Sequence, residues 1–134
     1  MKHKQINILG QEYVLTYATE DEKPKLKYAE ANGLAELYSK ELIVNQSILD
    51  DADPGAFDRT DLFVEKVIRH EIIHAFFHEA GLTTYTNDEV LVDWLALQIC
   101  KMYKVMSDVG ATTEETSTEI ENILENILTR GAIL

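Results

Sequence analysis

Residues 67–82 read VIRHEIIHAFFHEAGL, with His70 and His74 four apart and Glu71 between them. On a helix turning about 100° per residue, His74 falls about 40° from His70, His78 about 80° and Glu71 about 100°, so the four polar groups share one arc. Two neutral imidazoles one turn apart can reach the same tetrahedral zinc ion, and the adjacent glutamate can take a proton from a zinc-activated water. Ile72, Ile73, Phe76 and Phe77 fill most of the remaining circumference, which predicts that this part of the helix is buried. Imidazoles and a carboxylate buried without partners are unfavourable, and a cation would satisfy them. The competing explanation is a set of hydrogen-bonded core histidines; HExxH spacing within a helical segment favours the metal.

Two histidines need a further ligand. His78 lies about 12 Å of rise from His70 along a straight helix, out of reach of metal bonds of about 2.0–2.1 Å. It is either a substrate-facing or supporting group or an ordinary half-exposed histidine. The stretch NDEVLVDWLALQIC carries Glu89 and Asp93 one turn apart among apolar residues, and acids facing a core need cations. Leu82 to Thr86, at about 3.3 Å per residue, can climb back the roughly 10 Å needed to start an antiparallel helix. That arrangement levels Glu89 with His74 and Asp93 with His70. Glu89 then completes the ligand set, and Asp93 accepts the free ring N–H of His70. The reverse assignment, Asp93 on the metal and Glu89 behind it, stays open, because spacing does not separate two acids on one face. Tyr85, in the joining loop, is a candidate to aim its phenol at a tetrahedral intermediate. Arg69 is expected at the surface, and Cys100 as a buried inert thiol.

The elements that would hold these groups read as α+β. INILGQEYVLTYA alternates Tyr13, Leu15 and Tyr17 against Val14, Thr16 and Ala18, and LAELYSKELIV suggests a hairpin turning near Ser39 and Lys40. Together they predict a small antiparallel sheet. TEDEKPKLKYAEANG reads as a surface connection, and DDADPGAFD as a turn before a helix. Three helices follow, over Thr60 to Ala80, Asn87 to Met106 and Thr113 to Arg130, with Gly81, Gly110 and Gly131 at their ends. The last has Ile120, Ile123, Leu124, Ile127 and Leu128 on one face, with this protein's own core as its expected partner and a subunit interface as the alternative.

A chain of 134 residues, 46% apolar, suits a single domain over 1–134. Its net charge of −12 repels phosphate backbones, which argues against nucleic-acid binding. The N-terminus lacks the pattern of a signal peptide and no run of apolar residues suits a membrane span, so a cytoplasmic protein is expected. A single cysteine excludes an internal disulfide. No feature specifies an oligomeric state.

His70-Glu71-x-x-His74 followed by Glu89-x-x-x-Asp93 resembles the gluzincin metallopeptidases. A small sheet followed by RHEIIHAFFHEAGL and NDEVLVDWLALQ is similar to small phage- or prophage-borne ImmA/IrrE-like proteins, over roughly Leu34 to Lys101. The resemblance implies a zincin-like domain with one Zn²⁺ per chain on His70, His74 and Glu89, supported by Asp93. It implies peptide-bond hydrolysis with Glu71 as general base; His78 and Tyr85 are candidates, by their positions alone, for substrate or oxyanion contacts. A sheet edge over the HExxH helix receives substrate as an added strand in this group, which makes KELIVNQ the expected counterpart. A peptide or protein substrate, with a repressor-like protein as one candidate, is the implied partner. The competing expectation is a metal-stabilised phage or prophage interaction or regulatory protein with little or no hydrolytic activity.

Overall fold

The alternating apolar residues at the start of the chain form a hairpin. β1 (Lys2–Ile8) and β2 (Gln11–Ala18) pair antiparallel, with Ile8 opposite Gln11. The two residues between them, Leu9 and Gly10, have φ of 51° and 87°, as a type I′ turn requires. The computed structural model describes residues 1–50, 60–113, 118 and 122.

The stretch expected as a plain surface connection instead holds a short helix, α1 (Pro24–Tyr28), with proline in its first turn. Its Leu26 packs with Ala18 and Ile43 in a small core. β3 (Gly33–Glu36) and β4 (Glu41–Asn45) then form the second hairpin, with Lys40 in its turn at φ 59°. The sheet order is β1-β2-β4-β3, and β4 runs parallel to β2. The sheet is therefore mixed, which corrects the antiparallel expectation. The chain crosses through α1 to the far edge and returns as β4, and strand composition carries no trace of that crossover. Among the described residues β3 is an edge strand, whereas KELIVNQ lies in the interior of the sheet.

After α2 (Ser47–Asp50), α3 (Thr60–Glu79) lies against the sheet. Val64, Val67 and Ala75 join Tyr13, Leu15, Leu42 and Val44 in the main core. At the helix end the Tyr13 hydroxyl donates to Glu79 at 2.6 Å, and Lys40 pairs with the same carboxylate, tying the β3–β4 turn to α3. Gly81, at φ 77°, ends the helix: its N–H bonds the His78 carbonyl and that of Leu82 bonds Phe77, the paired bonds of a Schellman motif. The expected loop contains one turn of helix, α4 (Thr83–Thr86), before α5 (Glu89–Asp108).

Ile73 of α3 packs on Val92 and Ala96 of α5. Arg69, expected at the surface, is part of this contact, its Nε–H donating to the Ala96 carbonyl at 2.7 Å. Burial around the HExxH helix is less complete than its composition implies, since Phe76 is exposed. Val90, Trp94 and Leu97 on α5 are exposed as well, and so is Cys100, contrary to the buried thiol expected.

The chain divides into two compact units, Met1–Leu97 and Gln98–Leu134. In the second, α5 ends at Gly110, at φ 76° and with the same paired bonds as Gly81. The amphipathic helix expected over Thr113 to Arg130, its Gly131 cap and the DDADPGAFD turn beyond residue 50 lie outside the described residues, apart from 113, 118 and 122. Among the described residues no helix is long and apolar enough to cross a membrane.

Candidate metal centre

His74 is buried, and its Nδ1–H donates to the Thr86 carbonyl at 2.7 Å. The Thr86 hydroxyl returns a bond to the His74 carbonyl at 2.8 Å, so α4 clamps this turn of α3. A carbonyl only accepts, which places a ring proton on Nδ1, and in the neutral ring Nε2 then carries the lone pair. His70 is arranged in the same way, its Nδ1 standing 3.2 Å from Asp93 Oδ1.

The two Nε2 atoms lie 3.1 Å apart. Glu89 straddles them, with Oε2 at 3.0 Å from His70 Nε2 and Oε1 at 3.1 Å from His74 Nε2. Two imidazole nitrogens and a carboxylate thus converge on one point. A proton can satisfy one of these short edges, while a cation at their centre satisfies all of them. Their lengths are compatible with bonds of about 2.0–2.1 Å to a single ion.

Glu71 also belongs to the cluster, since one ligand atom from each of His70, Glu71 and His74 lies within 4.8 Å of the others. Glu71 Oε1 is 3.9 Å from His70 Nε2, farther than Glu89, which puts it beside the converging donors. Burial, and then the charge of Glu89, push its carboxyl up to about 8. It faces a cavity of about 310 Å³ bounded by β3 on one side and by His70, His74 and Glu89 on the other.

Gly33 sets the width of that cavity. A Cβ there would stand 2.8 Å from Val67 Cγ1, 3.0 Å from Glu71 Cγ and 3.1 Å from the Ile43 carbonyl oxygen. β3 can lie this close to α3 because the position has no side chain. Gly33→Ala is therefore expected to destabilise the fold by about 1–3 kcal/mol through overpacking, measured as a lower urea midpoint. An unchanged midpoint would show that the helix and strand separate freely.

Asp93 stands level with His70, as the spacing predicts, whereas Glu89 stands between His70 and His74 rather than level with His74 alone. Asp93 meets the Nδ1 side of His70, away from the converging Nε2 atoms, and Glu89 meets the Nε2 side. Two contributors go beyond the sequence expectation. Lys66 forms an ion pair with Asp93 and holds its carboxyl below the usual range; its position one turn before His70 is the signal the sequence offers. Thr86 acts through its backbone carbonyl, for which its identity gives no signal. His78 meets Tyr38 edge-on at 5.8 Å, and Tyr85 packs on Phe77 at the same centroid distance. Neither is among the residues lining the cavity, whereas Asn87 is. No protein-family model, curated protein or solved structure matches this chain.

Proposed function

We propose that this chain is a zinc-dependent metallopeptidase of gluzincin type, with a zincin-like fold similar to the small ImmA/IrrE-like proteins. The observation that carries this reading is the convergence of the Nε2 atoms of His70 and His74 with the Glu89 carboxylate, beside a buried Glu71 that faces the same cavity. Two imidazoles and one carboxylate, with room left for a small molecule, are a donor set suited to catalytic zinc.

When bound, zinc supplies Lewis acidity, polarising a carbonyl and lowering the pKa of water. The chain's own groups provide the rest. Asp93 and the Thr86 carbonyl keep the two imidazoles in the tautomer that presents Nε2. Glu71 accepts the proton released by the attacking water and returns it to the departing amine. The strand that receives substrate is β3, since among the described residues it pairs only with β4, and its residues line the cavity. Its free edge offers N–H and C=O groups to an extended peptide. A repressor-like protein as the natural substrate comes with the family resemblance.

The test compares zinc-loaded wild type with Glu71→Gln on a broad peptide library and on repressor-type proteins. Both should hold one zinc per chain. Cleavage by the variant should fall about 10²–10⁴-fold, because an amide cannot take the proton. Equal product from the two proteins would eliminate the proposed mechanism.

A further inference from the structure

We propose that Lys66 is a positioning residue, holding the Asp93 carboxylate against His70 and thereby setting the metal affinity of a centre it does not touch. The inference rests on the metal-centre reading and extends it by one residue. Lys66 and His70 stand one turn apart on α3, facing Asp93 and Glu89, one turn apart on α5. Asp93 Oδ1 receives both His70 Nδ1–H, at 3.2 Å, and the Lys66 ammonium.

This second contact matters because of where Asp93 sits. Its side chain is 41% exposed, so water competes for the carboxylate. A ring N–H at 3.2 Å is at the long end of hydrogen bonding and fixes the group weakly by itself. Lys66 is 22% exposed and reaches from the same helix as the histidine it serves, so the carboxylate is held relative to that ring. Once released, Asp93 turns to solvent and His70 can move its proton to Nε2, where it blocks a metal bond.

Electrostatics alone predicts the opposite sign. An ammonium beside a dication opposes binding, so removing Lys66 would strengthen affinity if charge were its only influence. The direction of the change therefore separates the two roles. The Lys66 ammonium also lies 5.8 Å from the centre of the Phe63 ring, and methionine is the suitable replacement because it keeps an unbranched stem.

The experiment measures zinc affinity, by competition with a chromophoric chelator, for wild type, Lys66→Met, Lys66→Arg, Asp93→Asn and the Lys66→Met, Asp93→Asn double variant. Melting of the metal-free proteins checks the fold, and long-range ¹H–¹⁵N spectra of the His70 ring report its tautomer without metal. Lys66→Met should weaken zinc binding about 10-fold and mix the tautomers, with little change in melting. Arginine should restore binding to within about threefold, since it too pairs with a carboxylate. In the Asp93→Asn background the lysine change should have no further effect beyond about twofold. Unchanged or tighter binding in Lys66→Met would overturn the role, as would an equal loss in the Asp93→Asn background. Wild type that binds no zinc, yet loses its tautomer preference in Lys66→Met, would remove the metal reading and support the positioning contact.

Discussion

A chain carrying both His70→Ala and Glu89→Ala is expected to bind no zinc under conditions where wild type keeps one ion after dialysis. Of the converging donors only His74 Nε2 would remain, because the other short edges all involve His70 or Glu89. Glu71 is placed by its 3.9 Å separation from His70 Nε2 and by its orientation towards the cavity, and one imidazole with one offset carboxylate makes a weak site. The loss should exceed the roughly 10–100-fold that follows removal of a group behind a ligand. Elemental analysis reads the stoichiometry and chelator competition the affinity. Stoichiometric zinc in the double variant would place the ion elsewhere. Each single variant should fall between the two extremes, and a mild Glu89→Ala beside a severe Asp93→Ala would favour Asp93 as the ligand.

The helical part of this centre is legible in the sequence because helical periodicity determines which residues share a face. His70, His74, Glu89 and Asp93 are each one turn from their partner, so two antiparallel helices bring all four together once the connection is short. Of the loop the sequence shows little more than its length, and length does not reveal that α4 turns the Thr86 carbonyl onto His74. The sheet is harder for a different reason. Alternation identifies which residues of β2 face α3, but strand order depends on a crossover through α1, so from composition β4 passes for the edge that β3 occupies. Burial is overestimated wherever composition stands in for contacts: Trp94, Phe76 and Cys100 are exposed. Arg69 is underestimated, because a long stem can bring its guanidinium to a neighbouring helix carbonyl.

The pH dependence of the metal-free protein is expected to expose Glu71. Its carboxyl is raised from an ordinary 4.5 to about 8, first by burial and then by Glu89. Between those values the folded chain holds a proton that the unfolded chain has released, so stability falls as pH rises through this window and levels off above it. Every tenfold difference in proton affinity between the folded and unfolded chain corresponds to about 1.4 kcal/mol, which makes the total for this 5% exposed residue on the order of several kcal/mol. Urea titrations from about pH 5 to 9 in the presence of a chelator measure it, with Glu71→Gln as the reference that retains the histidines but cannot ionise. The two proteins should be nearly equal at the acid end, with the glutamine variant the more stable at pH 8 and above. Glu89→Gln should recover a smaller part of the loss, since Glu89 is the lesser of the two causes. Zinc should flatten the wild-type profile, because a cation beside Glu71 favours its charged form. Parallel profiles for metal-free wild type and Glu71→Gln would mean that Glu71 meets water freely, and would remove the buried base from the proposed mechanism.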